Sequence, residues 1–437
     1  MPEQDRNPPS LVASVPEEVT GQPRRVVLGH LLWRQTFASL RHRNFRLFFG
    51  GQFISLIGSW MQSTAQGWLV YELTGSKMLL GVVSAVGSAP MMLFSMWGGS
   101  IADRHPKRRI VICTQTALMV GAFVFAALVG LDVIRTWHIL VLAAFGGLAM
   151  AFDMPARQAF TVEMTSRQDL MNAISLNSSI VNSARVIGPA VAGFLMAQVG
   201  IAMCFFLNGL SFIAVIAGLM LMRLPAFERP ERPESAWAHS AEGLKYVWQH
   251  RRMRASLVLF AIVGIFGWSY AVLMPAFATD VLHVGQEKYG MLLSANGVGA
   301  LLGALTVATF GSTLSRRLLV LGGLGVFALM LLLLAVVNHY VLALVFLAAG
   351  GWGMLLFFST INTVLQTDSS DEMRGRVMGI WALIFGAMTP AGGLVAGALS
   401  HYFGVRWAIG AGAGICALSA LIVWFAGRRR MAEKAGE

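Results

Sequence analysis

A chain of 437 residues that is 56% hydrophobic and 12% charged departs from soluble globular proteins, in which about 25% of residues are charged. Its apolar residues fall in long runs instead of alternating with polar ones, which excludes both a soluble core and a transmembrane barrel. The net charge of +12 is spread over the short stretches between those runs, a pattern of loops held on one side of a membrane and not of a nucleic-acid surface.

A hydrocarbon core about 30 Å thick takes about 20 apolar residues per helix. In chain order, spans are predicted over 46–72, 78–102, 109–131, 137–161, 171–199 and 200–223, then over 254–280, 289–312, 316–337, 340–366, 376–400 and 405–427. Residues 1–45 read as a cytoplasmic tail, in which 26–40 is either an amphipathic helix on the membrane surface or an unstructured basic tail. Residues 46–223 form one six-helix bundle and 254–427 a second, with 428–437 as a closing cytoplasmic tail. The linker between the bundles, 224–253, is rich in Pro, Arg and Glu and ends in a short amphipathic helix around 242–250. Val191-Ala192-Gly193 followed by Gly200 recurs as Val395-Ala396-Gly397 followed by Gly404, a weak sign that the halves are repeats.

Basic residues orient the spans. Arg41, Arg43 and Arg46 precede the first, Arg104 and Lys107 to Arg109 follow the second, and Arg316, Arg317, Arg374, Arg376 and Arg428 to Arg430 continue the series. The opposite loops carry only Lys77, Arg135, Lys288 and Arg406. Both termini are therefore expected in the cytoplasm, with the protein multi-pass in a cell inner membrane. Cys113, Cys204 and Cys416 all lie within apolar runs and read as packing residues, not a disulfide framework. No metal-ligand spacing occurs among Cys and His, and no phosphate-binding Gly-x-x-x-x-Gly-Lys-Ser/Thr loop is found. An ATP-driven pump and a soluble enzyme are both disfavoured.

The loop after the second span reads Gly99-Ser100-Ile101-Ala102-Asp103-Arg104-His105-Pro106-Lys107-Arg108-Arg109. It resembles the Gly-x-x-x-Asp-Arg-x-Gly-Arg-Arg loop of the major facilitator superfamily, matching at Gly99, Asp103, Arg104 and Arg108, with Pro106 in place of the second Gly and Lys107 in place of an Arg. The resemblance implies a cytoplasmic latch in which Asp103 faces Arg374 or Arg376 at the start of the eleventh helix. The fifth span holds Arg185-Val186-Ile187-Gly188-Pro189-Ala190-Val191-Ala192-Gly193, similar to the Gly-Pro motif of superfamily exporters. There Gly188, Pro189 and Gly193 would bend the helix and permit close packing. Two further runs, 40–46 with Gly58-Ser59-Trp60 and Asp153-x-Pro155-Ala156-Arg157 with Asn172-Ala173, resemble the enterobactin-exporter-like, transmembrane secretion effector branch. The implied fold is all-α: twelve transmembrane helices in two six-helix bundles around a central cavity.

Charge at membrane depth is costly, so Asp153, Arg157 and Arg185 are each candidates for function. Asp153 and Arg157 share a helix face at i, i+4. Asp153 reads either as a proton-coupling carboxylate or as half of a structural pair with Arg157 or Arg185. Arg185 reads either as an anchor for an anionic substrate group or as that partner. The resemblance implies that the first, fourth, seventh and tenth helices line the cavity, exposing Gln52, Trp60, Gln62, Gln66, Trp268, Tyr270 and Asn362.

The function expected is secondary transport by alternating access: proton-coupled export of a siderophore or similar amphipathic small molecule, without a cofactor. A multidrug/proton antiporter is the alternative within transport, and a non-transporting scaffold or membrane enzyme the alternative outside it. The partners expected are a small-molecule substrate and membrane lipid, with no nucleic acid, for a protein acting as a monomer.

Overall fold

The computed structural model describes residues 38–165, 169–223 and 244–435. Among them twelve long helices follow one another: α1 Arg43–Thr74, α2 Lys77–Arg104, α3 Lys107–Gly130, α4 Thr136–Glu163, α5 Leu170–Val199, α6 Ile201–Met220, α7 Arg251–Val281, α8 Gln286–Phe310, α9 Arg316–Val336, α10 Tyr340–Asp368, α11 Asp371–Phe403 and α12 Val405–Ala435. The surface helix considered for 26–40 lies almost wholly outside the described residues, which begin with a 3-10 turn at Ala38–Arg41. Of the linker helix expected around 242–250, residues 244–249 are helical.

Eleven helices, α2 to α12, are long and apolar enough to cross a membrane. The exception is α1, whose 32 residues give it about 48 Å at 1.5 Å per residue. Its apolar composition is diluted by Gln52, Ser55, Ser59, Gln62, Ser63, Thr64 and Gln66. Gln52, Ser55 and Thr64 are buried because α1 packs along α5 and α6, so these groups meet protein and not lipid.

Helices pack chiefly within two sets. In the first, α1 lies on α5 and α6, α2 on α4, and α3 on α4 and α6; in the second, α8 and α9 lie on α10, and α12 on α9. Two large contacts cross between the sets, α2 with α11 and α5 with α8. These two seams are built alike. A Cβ on Gly290, the fifth residue of α8, would stand 2.8 Å from the Gly193 Cα of α5. A Cβ on Gly81, the fifth residue of α2, would stand 3.2 Å from the Gly397 Cα of α11. Gly200 (φ 91°) and Gly404 (φ 87°) then turn the chain into α6 and α12 in the left-handed region that favours glycine. The short repeat seen in the sequence thus falls at these two similar seams.

One helix is irregular. After Arg251–Ile262, α7 passes through a π segment at Val263–Gly267, a 3-10 segment at Trp268–Leu273 and a second π segment at Phe277–Val281. Pro275 cannot donate to the Ala271 carbonyl and crowds the preceding turn, and Gly264 and Gly267 lower the cost of changing pitch. The irregular stretch carries Trp268 and Tyr270.

Candidate functional site

The cluster that joins the two halves is centred on Arg185, the sixteenth of the thirty residues of α5, so about 20 Å of helix separates it from either end. Its Nη2 donates to Asn296 Oδ1 of α8 at 2.9 Å, and Asn296 Nδ2 donates to the Tyr270 hydroxyl of α7 at 2.7 Å. The guanidinium carbon lies 5.8 Å from the Trp60 ring of α1 and 5.3 Å from the Trp268 ring of α7. Each such cation–π contact contributes about 1–2 kcal/mol away from bulk water. Four helices, two from each half, therefore converge on one cation. Arg185, Trp60 and Trp268 are partly exposed, whereas Tyr270 and Asn296 are buried.

Pro189 frees the Arg185 carbonyl from its helical hydrogen bond, because Pro has no N–H to donate to position i−4. That oxygen lies against α8, where a Cβ on Gly297 would stand 2.8 Å from it. Gly188 lets Trp60 and α1 approach, since its Cβ would stand 2.9 Å from the Ile57 carbonyl, and Gly193 forms the seam with α8. The motif of α5 is thus a contact surface along a helix that continues unbroken from Leu170 to Val199.

Asp153 sits elsewhere. It is 0% exposed and faces α3: Oδ1 accepts from Thr114 Oγ1 at 2.7 Å and from Gln115 Nε2 at 2.9 Å, while Oδ2 pairs with Arg157. The i, i+4 pairing is formed, and the alternative Asp153–Arg185 pair is not, because Arg185 reaches across to α8 instead. Both carboxylate oxygens are filled from within the first half.

The remaining polar candidates divide. Gln66 and Asn362 are partly exposed, and Asn362 Oδ1 accepts from Gln366 Nε2 at 2.6 Å. Gln62 is turned to α6, where its Oε1 accepts from Asn208 Nδ2 at 2.6 Å. Gln52 is 2% exposed, with its Oε1 buried and unpartnered among the described residues. The expectation that Gln52 lines an open cavity therefore gives way to burial on a helix packed along α5 and α6.

At the loop after α2, Asp103 and Arg104 are exposed, and Asp103 pairs with neither Arg374 nor Arg376. Arg374 is held by Asp371 at 2.7 Å and by the Gln366 carbonyl at 2.9 Å. The implied latch is not engaged in this structure. Gly99 has no neighbour that a Cβ would meet within 4 Å, so it does not bring helices together here. Gly98 does so instead, where a Cβ would stand 3.1 Å from the Phe152 Cα of α4. Arg108 donates to the Met220 carbonyl at 2.9 Å, capping the C-terminus of α6.

At the other end the halves are joined by a group absent from the expected set. Asp280, at the end of α7, accepts from the Tyr71 hydroxyl of α1 at 2.7 Å and pairs with Lys77 Nζ of α2 at 3.0 Å. The sequence signals for the missed residues were an amide within an apolar run (Asn296) and opposite charges beside facing loops (Lys77 and Asp280). Attention to the first, fourth, seventh and tenth helices passed over α8.

The chain is similar to known transporters over most of its length. The chain is 28% identical over 361 residues to the multidrug efflux pump Tap of Mycolicibacterium fortuitum, covering 80% of this chain and 87% of that protein. It is 26% identical over 371 residues to the staphyloferrin A transporter of Staphylococcus aureus (82% and 90%), and 26% identical over 342 residues to the enterobactin exporter EntS of Shigella boydii (78% and 81%). In fold it resembles a bacterial homologue of the lysosomal transporter Spinster, crystallised inward-facing and unoccupied, with a TM-score of 0.71 at 12% identity over 89% of this chain and 97% of that one. The nucleoside transporter NupG gives a TM-score of 0.66 at 15% identity over 88% of this chain and 98% of that one. The transmembrane secretion effector model matches residues 34–436, so the chain belongs to that family of major facilitator superfamily transporters.

Proposed function

We propose that this protein is a secondary active exporter of a small amphipathic molecule, a siderophore or a compound of similar character, working by alternating access. The observation that carries this reading is the asymmetry between the two ends of the molecule. Both seams between the halves are tight at the end holding Asp280, while the loop end leaves Asp103 exposed and unlatched. A central cation reached by four helices lies between them. The basic loops support an orientation with the unlatched end, and both termini, in the cytoplasm. The structure then corresponds to the state that receives substrate from inside, and the bundles 46–223 and 254–427 are the rocking units. Efflux and siderophore-transport relatives support export, and the proton gradient is the proposed energy source. The multidrug antiporter reading differs only in substrate breadth, and the Tap relative favours it.

The filled coordination of Asp153 supports a structural role for it and Arg157, not a coupling role. Export from inverted vesicles is the test. Flux should collapse when the proton gradient is dissipated and persist in Asp153→Asn; flux indifferent to the gradient would overturn proton coupling, and loss of coupling in a folded Asp153→Asn would return that role to Asp153. A thermal-shift screen of purified protein against siderophores and antibiotics separates a narrow from a broad substrate range, since ligand binding raises apparent stability by mass action.

A further inference from the structure

A charge in the middle of a membrane protein is ordinarily matched by an opposite charge. Asp153 has Arg157, and Asp280 has Lys77. Arg185 has no carboxylate partner among the described residues: its one hydrogen bond goes to the neutral amide of Asn296, and its other contacts are the two indole rings. A guanidinium offers five N–H donors, so most of its capacity to bind an anion is unused. The indoles come from opposite halves, α1 and α7, and present flat apolar faces beside the charge.

Aromatic packing continues from there inside the second half. Trp268 packs edge-on against Phe358 at 5.7 Å, Phe358 against Phe260 at 5.1 Å, and Phe260 stacks with Trp381 at 5.4 Å. Phe260 and Trp381 lie ten and eleven residues into α7 and α11, each counted from the unlatched end. The Trp381 Nε1 is a buried donor with no acceptor among the described residues. A packed stack of rings, with Phe260 0% and Phe358 8% exposed, thus braces Trp268 beside the unmatched cation.

We propose that Arg185, flanked by Trp60 and Trp268, is the subsite for the anionic group of an aromatic substrate, with the ring system lying against the indoles. This deepens the transport reading and rests on it. An anion on Arg185 completes its charge, and a ring between Trp60 and Trp268 bridges the two halves, so the same ligand favours their closure around it.

The experiment compares 1-naphthoate, its neutral analogue 1-naphthamide and the aliphatic anion decanoate, by titration of the purified full-length protein with stability and calorimetric readouts. The expected result is at least tenfold tighter binding of naphthoate than of either control, with the preference over naphthamide lost in Arg185→Gln and both aromatic ligands weakened in Trp268→Leu. Equal binding of naphthoate and naphthamide by the unaltered protein, no binding of naphthoate at millimolar concentration, or an undiminished preference in Arg185→Gln would overturn it. Decanoate binding as tightly as naphthoate would overturn the aromatic half of the proposal. The ligand comparison on the unaltered protein stands even if Arg185→Gln fails to fold. Gradient-dependent export measured alongside separates the two readings: flux without anion preference removes this subsite alone, whereas no flux of any screened siderophore or antibiotic removes the transport reading itself.

Discussion

The two ends of the molecule use the same helices and reach opposite outcomes. At the end holding Gly81, Gly193, Gly290 and Gly397, α2 meets α11 and α5 meets α8 backbone to backbone, and Tyr71 and Lys77 of one half hold Asp280 of the other. At the end holding Asp103 and Arg374, the pairs formed among the described residues lie within one half: Arg108 caps α6, Lys107 pairs with Glu163 at 2.6 Å, Arg41 with Asp169 at 2.7 Å, and Arg374 with Asp371. The difference teaches that close joining depends on absent side chains, while an unlatched end has charges satisfied locally. Small residues allow close contact and dispersion attraction without a polar bond that would have to be broken in lipid.

The sharpest way to break this comparison is to fill the seam. Gly193→Leu places a side chain where a Cβ alone would stand 2.8 Å from the Glu287 carbonyl, so the sealed end is held open. Export should fall by more than about tenfold, at about 1.4 kcal/mol or more of lost closure. Accessibility of a cysteine placed at Gln286 should rise in the same variant; normal flux with normal shielding would show that the seam is not required.

A second test concerns bracing within the first half and is read as stability, not as flux. Asp153→Ala leaves Arg157 without its partner, and truncating a buried pair costs about 3–5 kcal/mol. A large fall in melting temperature is expected, with an unchanged ratio of open to sealed ends by cysteine labelling, because the hydrogen bonds and ion pair of Asp153 go only to α3 and α4. A shift in that ratio would tie Asp153 to the movement itself.

A smaller effect is expected at the polar lock. The Lys77 and Asp280 side chains are 26% and 34% exposed, so the pair contributes about 1 kcal/mol after screening, or roughly fivefold in the population of the sealed state. Asp280→Asn should raise labelling at the sealed end by about that factor, and the exchanged pair Lys77→Asp with Asp280→Lys should restore shielding. Least of all, Arg108→Gln removes a helix-terminal cap worth about 0.5–1 kcal/mol and should lower melting by a few degrees with no change in either end's labelling. If it alters flux as strongly as Gly193→Leu, the open end is not built from local contacts.

How much of this was legible beforehand follows from the kind of signal each feature leaves. Long apolar runs and basic loops announced the helices, and the boundary between α5 and α6 was readable at Gly200. The motif loop resembled its family clearly enough to place Asp103, yet not to show that Gly98, one residue earlier than the motif glycine, makes the close contact. Trp60, Trp268, Tyr270 and Arg185 were singled out separately, and the structure brings them together. Asn296 carries the signal of an amide in an apolar run, but it lies on α8, outside the four helices expected to line the cavity.

The sequence by itself determined the membrane setting and the succession of long helices, because hydrophobic length acts locally along the chain. Only the tertiary structure decided which charges are matched. Asp153 finds its partner four residues away, as the spacing suggested. Asp280 finds Tyr71 and Lys77 some two hundred positions distant, and Arg185 is left with aromatic faces and one amide. Pairing between helices depends on how they are rotated and stacked, and a charge left without a partner is visible only after every other charge has been placed.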